Sequence, residues 1–367
     1  MPSSDRIVGH AGITPGITRR GLLRTAASGA AAAFAAPYII RDAEAQGTRI
    51  VVRDPGGPFT PGFAEAFYQP FKKETGIEVV GVVSAAEPTA EIKSMVETKN
   101  YAWNIAGGMS QTAVQLLADA GYIEKHELDN DPAVSEIPLE YRDAYGIGSD
   151  VYATAIGYRS DKVKKPPTSW KEYWDVANFP GRRGLRKYPF DAVEQALMAD
   201  GVPSDKVYPC DLDKAFKSLT AIRPHVDAWW ASGAQATQML ANGEVDMLPV
   251  WANRIYAVRD AGVPVAVEWN QNIWGVDVWA ILKGTPNADI CRKFIKFTCN
   301  PKRQATFTKY LTNGPTNPAA YKYIDDPVAR TLTTYPEWHK QGLKIDGDYW
   351  AKSKDAALDR FNAWLLG

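Results

Sequence analysis

WNQNIWGVDVWAI, Trp269 to Ile281, sets three tryptophans and one aspartate, Asp277, within eleven residues. Burying a carboxylate among so much aromatic surface costs several kcal/mol unless a cation or hydrogen-bond donor meets it. The chain therefore needs either an internal partner for Asp277 or a place where an external one can arrive. The stretch reads as an extended strand, on which Asp277 and Trp279 share a side while Trp274, Val276 and Val278 take the other. Not every tryptophan can face the same space.

Outward from this strand, 367 residues suffice for two lobes of ordinary size, and 45% apolar with 11% aromatic residues can fill their cores. The 42 basic and 42 acidic residues are scattered without long blocks. That balance supports neither a nucleic-acid groove nor a polybasic membrane patch, so the expected partner is small. Cys291 and Cys299, if both lie on the helix suggested by DICRKFIKFTC, stand roughly 12 Å apart by helical rise, beyond disulfide reach. With Cys210 they read as core residues.

The N-terminus carries Thr18-Arg19-Arg20-Gly21-Leu22-Leu23-Arg24, an alanine-rich run, and Ala43-Glu44-Ala45. It resembles a twin-arginine export signal with a small-x-small cleavage site. The apolar run is about 16 residues and is interrupted by Pro37, whereas a membrane span needs about 20. Residues 1–45 are read as a cleaved leader, which leaves a mature chain of 37 basic and 39 acidic residues.

The mature chain opens in β-α-β-α-β order: TRIVVRD, a helix capped by Thr60 with Pro61 at its first position, and a second strand after Gly76. A helix at Ala90 to Glu97, the strand WNIAGG and the helix SQTAVQLLADAG follow. Phe63, Ala66, Phe67 and Phe71 share one helical face, and Pro70 predicts a kink. This order implies a layered α/β domain whose ligand loops lie beyond the carboxyl ends of the strands, at Asp54–Phe59 and Gly107–Gln111. A second α/β unit starts near Tyr158 with the helix SWKEYWDVA and the connection FPGRRGLR. It continues with helices at Phe190–Asp200 and Asp211–Ile222, the short helix GAQATQMLANG and the strand EVDMLPVW. Three crossings between the two units would form a hinge with a cleft.

No metal or catalytic constellation is legible. His126, His225 and His339 have no HxxxH or HExxH spacing, GIGSDV at Gly146 reads as a turn, and GRRG lacks the Lys-Ser/Thr ending of a phosphate loop. In AWWASGAQATQMLANGEVDMLPVWANR, Ser232 can cap a helix whose free amides face the cleft, and the strand Val245–Val250 ends where Trp251, Ala252, Asn253 and Arg254 begin a loop.

This pattern, with ETGIEV, YATAIGY, the Trp-rich crossing strand and YLTNGPTNPAA, resembles the spermidine/putrescine-type periplasmic binding proteins of ABC importers over nearly the whole mature chain. The resemblance implies an α/β, two-lobed fold, with lobe 1 at 46–155 plus 278–325 and lobe 2 at 156–277 plus 326–367. It implies no enzymatic activity, no cofactor and no metal, and a monomer that takes a small amine-bearing solute and meets permease subunits. Asp277 matches the family aspartate that receives a ligand ammonium, and Trp251 the tryptophan that ends the lobe-two strand. Asn253, Trp230, Trp274, Ser232, Gln235 and Asn313 are further candidates, joined by Phe59, Ser110 and Gln111 from the first lobe.

One departure bears on the ligand. Where polyamine binders carry an acidic pair, this chain has Lys187-Tyr188, with Asp191 three residues on. One strong acid suits a polycation poorly, whereas a ligand with one amine and one acid would need Asp277 and a donor such as Arg254. An amino acid such as 4-aminobutyrate or an opine-like conjugate is thus the alternative to a polyamine. An exported cofactor-dependent enzyme is the alternative of another class.

Overall fold

The computed structural model describes residues 49–85 and 87–367, so the leader lies outside the described residues. Ten strands occur among them: β1 (Arg49–Asp54), β2 (Glu78–Val83), β3 (Ile105–Ser110), β4 (Ile123–Glu124), β5 (Ile147–Arg159), β6 (Arg183–Arg186), β7 (Val226–Trp230), β8 (Met247–Trp251), β9 (Val265–Leu282) and β10 (Leu343–Lys344). They join in the order β2-β1-β3-β9-β5-β8-β6-β7, with β4 and β10 also paired to β9. β1 runs parallel to β2 and β3, the arrangement implied by the β-α-β-α-β reading.

The quoted stretch lies inside β9, whose 18 residues pair antiparallel with β3 on one side and β5 on the other. β5 and β9 serve two cores. Ala155, Trp274, Val276 and Val278 to Leu282 belong to a core with Phe63, Phe67, Ile105 and Phe294. Ile156 and Ile273 belong to a second with Trp170, Tyr173, Leu197, Phe216, Trp350 and Phe361. A third, smaller core gathers Trp230, Leu240, Leu248 and Ile255. Both long strands thus contribute side chains to more than one core.

The first helical segment shows how Pro70 acts. An α-helix at Phe59–Phe63 widens into a π-helix over Ala64–Tyr68 and resumes at Gln69–Thr75. Proline has no N–H and crowds the carbonyl four residues earlier, so the chain absorbs it as a wider turn rather than a sharp break. Phe63, Ala66, Phe67 and Phe71 are all buried, and Gly76 ends the helix in the left-handed conformation. The start differs from the Thr60 reading: Pro58 holds the cap position, and the Thr60 hydroxyl donates instead to Asp54.

Three further readings are corrected. GIGSDV is not a turn but the start of β5. The Gly/Arg-rich connection contains β6, in which Arg183 is fully buried because its guanidinium donates to the carbonyls of Tyr173 and Phe179. The residues after Trp251 are not a loop but the helix Ala252–Asp260, which starts without a side-chain cap and so lacks the usual sequence signal. Cys210, Cys291 and Cys299 are buried and unpaired, as read. Among the described residues no helix is long and apolar enough to cross a membrane, and no group of three His, Cys, Asp or Glu is placed to hold a metal ion.

Candidate functional site

β9 brings Asp277 opposite Ser110 of β3 and opposite Asp150 of β5. Residues directly across an antiparallel pair project to the same face, so two carboxylates meet here. Asp150 is buried, and both its oxygens are occupied: Asn313 Nδ2 donates to Oδ2 at 2.5 Å and Ser149 Oγ to Oδ1 at 2.8 Å. Asp277 is half-buried and, among the described residues, has neither a hydrogen-bond donor nor a cation within ion-pair distance. Burial raises the Asp150 pKa to about 6 against those two hydrogen bonds. Burial also holds Asp277 well above the usual carboxylate range, with the charges of Asp150 and Glu87 adding to the rise and Arg53 opposing it.

Glu87 adds a third carboxylate, from the segment between β2 and the helix Thr89–Thr98. It keeps contact with solvent and accepts from the Ser110 amide at 3.4 Å, while desolvation by the surrounding protein raises its pKa. Arg53, fully buried at the end of β1, faces this group without forming an ion pair to it. Its guanidinium donates to the carbonyls of Gly107 and Ala85, and burial lowers its pKa. Tyr152 of β5 lies across Gly275 of β9, where a Cβ would fall 2.5 Å from its hydroxyl. Burial raises its pKa far above normal, and Asp277, Asp191 and Glu87 push in the same direction. This part of the site is an acidic floor.

A neighbouring wall is basic. Arg186, at the end of β6, lies over the rings of Tyr188 at 5.0 Å, Trp251 at 5.1 Å and Trp230 at 5.4 Å. Its Nη1 pairs with Asp191 Oδ2 at 2.9 Å, and the same oxygen accepts from Thr154 at 3.0 Å. The aromatic cluster expected to clasp a ligand amine is thus occupied by the protein's own cation. Asp191 is buried, engaged by Arg186 and Thr154, and held at φ 67°, a conformation uncommon for a non-glycine residue. It is not a free acid.

Arg254 differs from Arg186. It lies on the helix Ala252–Asp260 beside Trp251, and a Cβ at Gly233 would sit 2.8 Å from that ring and 2.9 Å from Arg254 Nε. Both side chains therefore converge on the first residue of the helix Gly233–Ala241. Arg254 Nε is buried with no partner, and its pKa is lowered by burial alone. Among the described residues no carboxylate pairs with it. Ser232 and Gln235 cap the same helix reciprocally: Ser232 Oγ accepts from the Gln235 amide at 3.2 Å, and Gln235 Oε1 from the Ala231 amide at 2.8 Å. The Gly233 and Ala234 amides, in the first turn, have no intrahelical acceptor.

A hydrogen-bond chain links the two poles: Asn253 Nδ2 donates to Asn313 Oδ1 at 2.8 Å, and Asn313 donates to Asp150. Several candidates are already occupied by contacts within the protein. Trp230 is fully buried with its indole N–H on the Pro249 carbonyl. Trp274 packs on His339, ring centroids 4.4 Å apart, and on Tyr141. Gln111 is held by Asp143 at 2.8 Å in the wall of a neighbouring cavity of about 490 Å³, which reaches Ser110, Tyr152 and Gly275 but not Asp277, Trp251 or Arg254. Phe59 packs against Phe63 and Phe307 at the edge of the first core.

Five side chains of the site were missed in the sequence: Arg53, Glu87, Asp150, Tyr152 and Arg186. Asp150 and Tyr152 had a readable signal, since the run after Gly148 continues without a breaker into YATAIGY; reading GIGSDV as a turn hid it. The other three become relevant through contacts distant in sequence, which no local pattern reports.

The pattern of the bacterial extracellular solute-binding protein family matches residues 66–336. A gamma-aminobutyric acid-binding protein of Pseudomonas aeruginosa is 32% identical over 331 residues, 88% of this chain and 92% of that one. The spermidine/putrescine-binding periplasmic protein of Escherichia coli is 27% identical over 288 residues, 76% and 80% of the two chains. The crystal structure of an ABC transporter substrate-binding protein from Bradyrhizobium japonicum superimposes with a TM-score of 0.82 at 33% identity, covering 87% of this chain and 99% of the other.

Proposed function

This chain belongs to the bacterial extracellular solute-binding protein family, and on that premise we propose that it captures a small amino acid with separated charges, of the 4-aminobutyrate class, for an ABC importer. The ammonium meets Asp277 on the acidic floor. The carboxylate meets Arg254 and the first-turn amides of the helix Gly233–Ala241. Arg254 is the observation that carries this reading: a cation enclosed beside Trp251 with an unmade hydrogen bond and, among the described residues, no counter-ion. A polyamine would bring only positive charge to that wall, where Arg186 already fills the aromatic cluster. The relative that binds gamma-aminobutyric acid supports the same choice.

A polyamine remains the second reading, favoured by one observation: two further carboxylates, Glu87 and Asp150, both act on Asp277 on the floor. In either case the ligand lies where the bodies that β5 and β9 connect meet, about 46–155 plus 278–325 and 156–277 plus 326–367, with Ser110, Glu87 and Asp150 of the first beside Asp277 at the end of the second. A ligand that touches both binds the closed arrangement better and shifts the hinge equilibrium toward it. The twin-arginine leader supports export to the periplasm, where a monomer would deliver the solute to its permease.

Calorimetry with 4-aminobutyrate, putrescine, spermidine and an opine tests this choice. The wild type is expected to bind the amino acid, and Arg254→Met to weaken it by about thirtyfold, roughly 2 kcal/mol, while any putrescine affinity holds or improves. Tight putrescine binding with none of the amino acid would reverse the assignment.

A further inference from the structure

Asp150 has no role in the two contacts proposed for the ligand, yet it is the carboxylate directly across from Asp277. Its two oxygens already accept hydrogen bonds from Asn313 and Ser149. Those donors favour the charged form of Asp150. Asp277, by contrast, has no donor among the described residues and faces that charge. Two facing acids that cannot both ionise cheaply share a proton, and the one without donors holds it. We propose that the empty cleft carries a proton on Asp277, kept there by Asp150, and that the arriving ammonium exchanges for it. The inference rests on the amine contact at Asp277 and adds Asp150 as a positioning residue that makes binding depend on pH.

The exchange is simple to balance. The ligand keeps its ammonium proton, the Asp277 carboxyl loses one to the buffer, and the charge on the floor is unchanged by the binding step. The groups that act on Asp277 are Arg53 from β1, Glu87 from the segment after β2 and Asp150 from β5; Tyr152, also on β5, is acted on by Asp277 in turn. Of these, Arg53 opposes proton uptake but forms no ion pair, because its guanidinium is directed to two carbonyls. Glu87 raises the proton affinity further from the solvent side. The ligand contributes no slope of its own between pH 6 and 8, since its amine and its carboxylate titrate near 10 and near 4, about two units or more outside that window.

Binding of 4-aminobutyrate to the full mature chain, measured at pH 6, 7 and 8 in phosphate and in Tris, reads the exchange. If the proposal holds, the observed enthalpy differs between buffers by the ionisation enthalpy of up to one proton per ligand. The association constant then rises with pH, approaching tenfold per unit at the acidic end. Asp150→Asn removes the facing charge, so the released proton and the pH slope should both shrink, while any protons linked to histidines would persist. Ser149→Ala provides a gentler variant should Asp150→Asn fail to fold: with one donor lost from Asp150, release should extend to higher pH. Buffer-independent enthalpy in the wild type at all three pH values, with binding intact, overturns the proton exchange and leaves the ligand assignment standing. Absence of any binding by the amino acid instead removes the assignment on which it rests.

Discussion

Two ion-bearing regions lie at the ends of the Asn253–Asn313–Asp150 hydrogen-bond chain, and they differ in how far the protein has already met its own charges. On the basic wall Arg186 is held by Asp191 and roofed by Tyr188, Trp230 and Trp251. On the acidic floor Asp277 has no partner among the described residues, and on the wall's edge Arg254 has no counter-ion among them. Both regions contain an aspartate, an arginine and aromatic neighbours. What separates a structural pair from a binding pair is whether a complementary charge lies within about 3 Å, because only an unmatched, desolvated ion gains net free energy from a guest.

Asp277→Asn should produce the largest change. It removes the charge that meets the ammonium and is expected to weaken the amino acid by at least tenfold and up to several hundredfold by calorimetry. The empty protein should melt at an unchanged or slightly higher temperature, since no internal partner is orphaned. A large loss of stability would mean that Asp277 has a structural partner and would erase the contrast between the two regions.

Asp191→Asn tests the other side. Asparagine also tolerates the left-handed conformation at this position, so the substitution isolates the charge. Arg186 would remain enclosed by aromatic rings without its counter-ion, and the expected cost is about 2 kcal/mol, a fall of about 3 °C in melting temperature. Binding should weaken less than with Asp277→Asn. An unchanged melting curve would show Arg186 to be as unmatched as Arg254.

The smallest effect concerns pH and the empty protein. Carboxyls whose folded pKa is raised, such as Asp277, Asp150 at about 6 and Glu194 at about 7, bind more protons folded than unfolded. The stability they confer is fully present below pH 4 and is lost as pH rises through their folded values. Denaturant unfolding should therefore lose stability between pH 5 and 7, on the order of 1 kcal/mol from Asp150 alone. Asp277→Asn should flatten the Asp150 part of that fall. Glu194, buried against Tyr208 and Trp350, should retain its own part.

Much of the first lobe was legible because its signals are local. The face of Phe63, Ala66, Phe67 and Phe71, the stop at Gly76 and the parallel strands β1 to β3 follow from periodicity and breakers within a few residues. Asp277 was legible for a related reason: an acid amid tryptophans on a strand is a local contradiction that calls for a partner. β6 and the helix after Trp251 were not, since Arg183 is buried by carbonyls from other segments and the helix begins without a cap.

The amino-acid order alone determined the α/β class, the crossing strand and the presence of one acid in need of a cation, because hydrophobic period and unfavourable burial are properties of neighbouring residues. Only the tertiary structure decided which charges found mates. Arg186 meets Asp191 across a turn of backbone at φ 67°, Asp150 comes to face Asp277 from 127 positions away, and Arg254 arrives beside Trp251 with no ion-paired acid among the described residues. Coulomb energies and desolvation depend on distances of a few ångströms, and those distances are fixed by the sheet register rather than by position along the chain.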